Sequence, residues 1–106
     1  MKEIPNLIYI TKLSNGQGSF ENDLMEIIKR ELPKEIASYE SHLNNGNFSE
    51  TAAFVHKINH KIKILGLVNG GKIAEKYRMN LLENSSILKS EFEAVLESML
   101  LFIKRQ

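Results

Sequence analysis

The chain of 106 residues contains no cysteine, two prolines, six glycines and almost no net charge. Without cysteine it forms no disulfide scaffold, all-thiolate zinc site, iron–sulfur cluster or cysteine nucleophile. A net charge of +1 argues against a strongly basic nucleic-acid binder. No apolar run approaches the roughly 20 residues of a membrane helix, and the N-terminus lacks the apolar segment of a signal peptide. We expect one domain spanning residues 1–106, located in the cytoplasm.

Apolar residues recur at steps of three and four along most of the chain, which is the period of an amphipathic α-helix. A short first helix is predicted to begin at Pro5 and to end at Leu13. Ser19 is the predicted N-cap of a long second helix, which continues past Pro33 with a kink. The predicted buried stripe of this helix consists of Phe20, Leu24, Ile27, Ile28, Leu32, Ile36, Tyr39 and Leu43.

Asparagine–glycine pairs follow several of these helical patterns. At residues 15–16, 45–46 and 69–70, Asn or Gly suits the left-handed residue that ends a helix. Asn47 is the predicted N-cap of a third helix. A fourth is predicted to follow a break at Gly70 and Gly71. The last is predicted to start at Ser86 or Ser90. The prediction is an all-α fold, an antiparallel up-and-down four-helix bundle with a short N-terminal helix.

The third helix combines a buried stripe with an unusual opposite face. The predicted stripe consists of Phe48, Thr51, Val55, Ile58, Ile62 and Leu65. At about 100° per residue, His60 lies almost opposite the centre of this stripe, with His56 and Lys63 beside it. Further predicted members of the outward face are Ala53, Ile64 and Leu67. Exposed apolar side chains next to a histidine indicate a surface on which a partner docks.

This stretch resembles the signature of histidine phosphotransfer (Hpt) domains. That signature is a His, a Lys three residues later, small residues four and six later, and a Gly ten later. Counted from His60, the matching residues are Lys63, Gly66 and Gly70. Ile64 departs from the pattern because it stands where Gly is usual. The resemblance covers nearly the whole chain, including the order of helices, the proline within the second helix and the Asn-Gly turn.

The resemblance implies a phosphorelay intermediary. His60 would accept a phosphoryl group from an aspartate of a receiver domain and pass it to a response regulator, while Lys63 steadies the phosphoryl oxygens. The expected partners are response-regulator receiver domains or a hybrid histidine kinase. The expected docking residues are Ala53, His56, Lys57, Ile64 and Leu67. No nucleotide site of its own is needed, so we expect a monomeric, cofactor-free relay protein and not an enzyme.

A second hypothesis belongs to another class. An Hpt-shaped helical module would dock signalling partners without accepting phosphate, and Ile64 favours this alternative. The charge distribution suits either hypothesis. Residues 48–80 contain six Lys or Arg and two Glu, a local charge of +4, whereas residues 81–103 contain one Lys and four Glu, a local charge of −3. A positive surface around His60 would steer an acidic partner towards it.

Two other motifs are weaker. Residues 66–72 match the first part of a phosphate-binding G-x-x-x-x-G-K loop, but Ile73 stands where a Mg²⁺-binding hydroxyl belongs. His56 and His60 have the spacing of a metal-binding pair, but Lys57 replaces the Glu of a zinc protease and no carboxylate supplies a third ligand. Most Phe and Tyr residues fall on core stripes, which argues against nucleic-acid binding. We predict no metal, no cofactor, no nucleic acid and no membrane partner.

The remaining polar residues carry less information. Glu91, Glu93 and Glu97 are predicted on the solvent side of the last helix, so they do not form the paired carboxylates of a hydrolase. His42 lies at a polar helix end, where a cationic side chain interacts favourably with the helix dipole. Neither set of residues indicates a second site.

Overall fold

A computed structural model describes residues 3–106, and this part of the chain contains five α-helices and no β-strand. The helices are α1 (Ile8–Ser14), α2 (Gly18–Asn44), α3 (Phe48–Ile64), α4 (Val68–Leu82) and α5 (Lys89–Lys104). The predicted all-α class is confirmed. Within residues 3–106, none of the helices has the length and apolarity that crossing a membrane requires.

Several helix starts differ from the prediction. α1 begins at Ile8 and not at Pro5. The reason is that both polar groups of Asn6 have other partners: its side-chain oxygen accepts a hydrogen bond from the backbone amide of Ile8 at 3.1 Å, and its backbone amide donates to the carbonyl of Leu65. α2 begins at Gly18, so Ser19 lies inside its first turn and is not its N-cap. α5 begins at Lys89, between the two predicted serines, where Leu88 packs against the core.

Two predictions about α2 and α3 are confirmed. α2 runs through Pro33 without ending, and α3 begins directly after Asn47. The side chain of Asn47 forms no capping hydrogen bond. Its backbone carbonyl instead accepts the Thr51 amide at 2.9 Å and the Thr51 hydroxyl at 2.8 Å. The threonine hydroxyl, buried in the stripe of α3, is thereby satisfied within its own helix.

The break between α3 and α4 lies at Gly66, not at Gly70 and Gly71. Gly66 has φ +77°, a left-handed backbone conformation that residues with a side chain rarely adopt. A Cβ at this position would also lie 2.6 Å from Asn6 Nδ2. Gly70 and Gly71 are buried inside α4. Gly70 is a packing residue, since a Cβ there would lie 3.1 Å from Val95 of α5. The predicted turns at residues 15–16 and 45–46 do end helices, whereas Asn69 lies within α4.

α3 lies at the centre of the molecule, packed against α2 on one side and α4 on the other. α5 contacts α2 and α4, and α1 contacts α2. The predicted stripe of α3 is buried from Thr51 to Leu65, with Phe48 half-buried. In α2 the predicted stripe is buried in its middle, but Phe20 is 43% exposed and Ile27 is exposed. Met25 takes the buried position in the first turns of α2.

A network of aromatic side chains and one carboxylate ties α2, α4 and α5 together. Tyr39 donates a hydrogen bond to Glu93 Oε2 at 2.9 Å, so the 2.8 Å contact between the two tyrosine hydroxyls has Tyr77 as its donor. Phe92 lies edge-on to Tyr39, with the ring centroids 5.3 Å apart. The prediction that Glu93 lies on the solvent side is wrong, because this carboxylate is half-buried as the acceptor of Tyr39.

The tyrosine pair makes the stability of the fold sensitive to alkaline pH. Burial raises the pKa of both Tyr39 and Tyr77 above the ordinary value of 10.0. The unfolded chain therefore loses these protons at lower pH than the folded chain does, and stability falls as the pH rises above about 10. Urea unfolding followed by circular dichroism between pH 8 and pH 11 is expected to show this loss. It should be smaller in Tyr39→Phe but unchanged in Tyr9→Phe, whose side chain is exposed.

Candidate functional site

α3 places two histidines side by side on its exposed face. His60 is exposed, as the helical wheel predicts, and so is His56 one turn earlier. Their ring centroids are 4.9 Å apart at an interplanar angle of 68°. Lys63 is exposed on the turn that follows His60. The buried stripe on the other side of α3 fixes this orientation, because rotating the helix would expose Val55, Ile58 and Ile62 to water.

The predicted docking residues divide into three groups. Ala53, His56 and Lys57 are exposed. Ile64 is half-buried and packs against the core. Leu67 is only 2% exposed, so its predicted place on the outward face is wrong. The reason is the break at residue 66: α3 ends at Ile64, and beyond it the chain no longer follows the helical wheel of α3.

The positive charge around the histidines comes from fewer lysines than the sequence predicts. Lys61 is buried, with Nζ 3.1 Å from Glu31 Oε1 and 3.1 Å from Glu35 Oε1 on α2. Its charge is therefore neutralised between α2 and α3. Arg78 forms an ion pair with Glu75, in which Arg78 Nη2 lies 2.6 Å from Glu75 Oε1. On α3 and α4, four exposed lysines form no ion pair within residues 3–106: Lys57, Lys63, Lys72 and Lys76.

Glu75 of α4 brings a carboxylate to the same region. Its hydrogen bond to Arg78 holds its pKa below the ordinary value, and the charges of His56 and Lys63 act in the same direction. These charges act on Glu75 across the interface between α3 and α4. The Glu75–Arg78 spacing is visible in the sequence, but the proximity of Glu75 to His56 depends on tertiary packing, so sequence reasoning missed it.

Aromatic contacts fix the start of the histidine face. Phe54 is half-buried and stacks on His42 of α2, with the ring centroids 5.5 Å apart at 18°. The ammonium of Lys57 lies 4.8 Å from the centroid of the Phe54 ring. His42 therefore has a packing partner on α3 in addition to its predicted place in the last turn of α2. These contacts restrain Lys57 next to His56.

The residues of the nucleotide-loop and metal motifs adopt other arrangements. Residues 66–72 form a turn and the start of α4, with no strand before them. The amides of Asn69 and Gly70, which would face a phosphate, each donate to the carboxylate of Glu3 at 2.9 Å. Within residues 3–106 no three His, Asp or Glu side chains are grouped so that they could hold a metal ion.

The chain matches no protein-family model, no curated protein and no solved structure.

Proposed function

We propose that the protein is a phosphorelay intermediary of the Hpt type, which accepts a phosphoryl group on His60 and passes it to a response regulator. The observation that carries this proposal is the exposed His60 with Lys63 one turn further along a helix whose opposite face is buried. A rigid helix presents the imidazole at a fixed position, and phosphoryl transfer depends mainly on positioning and charge stabilisation.

The proposed chemistry is an exchange of one phosphorus–oxygen bond for a phosphorus–nitrogen bond. A ring nitrogen of neutral His60 attacks the phosphorus of a receiver's aspartyl phosphate, and the aspartate carboxylate leaves. The imidazole proton is released to solvent, and the reverse attack by a second receiver's aspartate regenerates the free histidine. Lys63 offsets the charge on the phosphoryl oxygens as a point charge. The Mg²⁺ that assists this chemistry would come with the receiver.

The same proposal includes the finer architecture and setting. In this proposal α2 to α5 form an antiparallel up-and-down four-helix bundle, and α1 lies outside the bundle. One domain covers the whole chain. The protein acts as a cytoplasmic monomer, without a cofactor, on receiver domains or a hybrid histidine kinase. Its docking surface consists of the exposed residues Ala53, His56 and Lys57, with Ile64 at the edge.

A second candidate function rests on Ile64. This side chain is half-buried and packed against the core at the position where the Hpt signature has a small residue. A branched side chain one turn after His60 reduces the space for a partner. The alternative is therefore an Hpt-shaped interaction module that docks signalling partners and leaves His60 unphosphorylated.

A phosphotransfer assay separates the two functions. Receiver domains from the same genome are labelled on their aspartate and mixed with wild-type protein, His60→Gln and His56→Gln. We expect acid-labile, base-stable label on wild type and on His56→Gln, and none on His60→Gln. The melting temperature of His60→Gln should equal that of wild type, because the side chain is exposed.

The matched control makes the residue assignment strict. His56 is the neighbouring exposed histidine on the same helix, so the two glutamine variants differ only in which ring is removed. Label that survives in His60→Gln and disappears in His56→Gln would show that the relay exists but that its acceptor is His56. Binding without label from any receiver would favour the docking module.

A further inference from the structure

The three Asn-Gly pairs of the sequence lie in three different backbone environments. The pairs at residues 15–16 and 45–46 follow α1 and α2, and both asparagines are exposed. In the third pair Asn69 is exposed on the first turn of α4, whereas Gly70 is buried. Asparagine is reactive in such a pair, because glycine places no side chain beside the backbone nitrogen that attacks the asparagine side chain. The proposed phosphotransfer uses none of the three asparagines.

The reaction open to such a pair is deamidation. The glycine nitrogen loses its proton to hydroxide and forms a bond to Cγ of the asparagine. The Cγ–Nδ2 bond breaks, and ammonia leaves with a proton taken from water. Water then opens the cyclic imide at either carbonyl, which gives aspartate, or isoaspartate with one more carbon in the main chain. Water is the only co-reactant, and a hydrogen bond that holds the glycine N–H opposes the first step.

The turn after α2 protects its pair with backbone hydrogen bonds. The amide of Gly46 donates to the carbonyl of Leu43 at 3.1 Å. The next amide, that of Asn47, donates to the carbonyl of His42 at 2.9 Å. These bonds satisfy the last carbonyls of α2. Attack on Asn45 therefore requires the hydrogen bond of Gly46 to break first.

The pair at the start of α4 is protected more strongly. The amide of Gly70 donates to Glu3 Oε1 at 2.9 Å, and the amide of Asn69 donates to Glu3 Oε2 at 2.9 Å. Both residues lie within α4. Attack on Asn69 therefore requires both the contact with Glu3 and the first turn of α4 to open.

The turn after α1 leaves its glycine amide free. Asn15 has φ +51° and Gly16 has φ +85°, so both residues have a left-handed backbone conformation. Within residues 3–106 the amide of Gly16 donates no hydrogen bond to another backbone carbonyl, and that of Asn15 reaches the Lys12 carbonyl only at 3.4 Å. A Cβ on Gly16 or Gly18 would meet nothing within 4 Å, so no packed side chain restrains this turn.

We propose that Asn15 is a site of spontaneous deamidation in the folded protein and that the product loosens α1. The new carboxylate lies at the C-terminal end of α1, where the helix dipole disfavours negative charge. The neighbouring Ser14 joins α1 to α2, since its hydroxyl donates to Glu21 Oε1 at 3.0 Å. Loosening α1 exposes Ile10, which is buried in the unmodified protein. The site is independent of the proposed function.

Peptide mapping by mass spectrometry tests the site. Trypsin separates the three pairs into the peptides 13–29, 35–57 and 64–72, and fragment spectra assign the modified residue within each peptide. Folded wild-type protein is incubated at pH 8 and sampled over time before digestion. A second sample is incubated in urea, which removes the protection of all three pairs.

The expected rates follow from the hydrogen bonds of the glycine amides. In the folded protein Asn15 should deamidate about fivefold faster than Asn45, the factor that one backbone hydrogen bond of typical net strength represents. Asn69 should stay intact. In urea the three asparagines should react at comparable rates, because each is followed by glycine.

Asn15→Asp tests the effect on α1, because it introduces the charge without the ring chemistry. Amide hydrogen exchange of α1 is expected to be about two- to fivefold faster than in wild type, the range that an unfavourable charge at a helix end produces. Asn45→Asp is the matched control. It adds the same charge at the end of α2 and should leave the exchange of α1 unchanged.

Each other outcome overturns a stated part of the proposal. Equal rates at Asn15 and Asn45 in the folded protein would overturn the site. A faster reaction of Asn15 that persists in urea would also overturn it, because local sequence and not the free amide would then set the rate. Unchanged exchange of α1 in Asn15→Asp would overturn the loosening. None of these results bears on phosphate transfer to His60.

Discussion

Phe92→Ala is expected to reduce the free energy of unfolding by about 3–5 kcal/mol. Phe92 is fully buried, and its ring centroid lies 5.3 Å from that of Tyr39 and 5.1 Å from that of Tyr77. Truncation removes contacts with α2 and α4 at once and leaves a cavity between them. Since a domain of this size has a total stability of about 5–15 kcal/mol, the variant loses a large share of it.

Thermal unfolding followed by circular dichroism measures this loss. Each kcal/mol lowers the melting temperature of a domain of about 100 residues by roughly 4–8 °C, so a fall of more than about 12 °C is expected. Phe20→Ala is the control, because Phe20 is 43% exposed in the first turn of α2. It should change the stability by less than about 1 kcal/mol. Equal losses for the two variants would contradict the described packing of α5.

Lys61→Met is expected to reduce the free energy of unfolding by about 2–4 kcal/mol. The ammonium lies 3.1 Å from carboxylate oxygens of both Glu31 and Glu35, and its removal leaves two neighbouring carboxylates without a cation. Breaking a fully buried pair costs about 3–5 kcal/mol. The expected loss is smaller because the side chain of Glu31 is 46% exposed and solvent screens its charge.

A second substitution distinguishes the ion pair from simple packing. In Lys61→Met/Glu35→Leu the uncompensated half-buried carboxylate is gone, so most of the lost stability should return. Lys76→Met, at an exposed lysine of α4, should lie within about 0.5 kcal/mol of wild type. Urea unfolding at neutral pH measures all three variants. A double variant no more stable than Lys61→Met would show that the carboxylate is not the source of the loss.

The exposed face of α3 was predictable because the apolar residues that recur with the helical period are also the residues that are buried. α3 has neighbours on two sides, so its apolar stripe is buried from Thr51 to Leu65 and His60 must point away. The same reasoning failed for Phe20, where the stripe of α2 extends into a first turn with less covering it. It failed for Leu67 because a left-handed residue at Gly66 ends the helical wheel.

Tertiary contacts decided what the sequence left open around the histidines. On a wheel Lys61 lies beside the stripe, and nothing local shows that two carboxylates from α2 meet it. Asn59 reads as an ordinary polar residue of α3 until Gly71 of α4 is placed opposite it. Spacing along one helix therefore predicted which ring is exposed. It did not predict that Glu75 of α4 lies within range of the charge of the neighbouring His56.

Hydrogen bonds of Glu3 and Asn6 join two segments that lie far apart in the sequence, so the part of the chain between them forms a closed loop. Glu3 is bound by the amide of Gly70, 67 positions later, and the Asn6 amide donates to the Leu65 carbonyl at 2.9 Å. The first turn of α4 and the segment before α1 are thus held together, although α1, α2 and α3 lie between them in the chain. Closing a loop of this length carries an entropic cost that is recovered only when both ends are in place. We therefore expect the hydrogen bonds of Glu3 and Asn6 to form late in folding, after α2 and α3 have already paired.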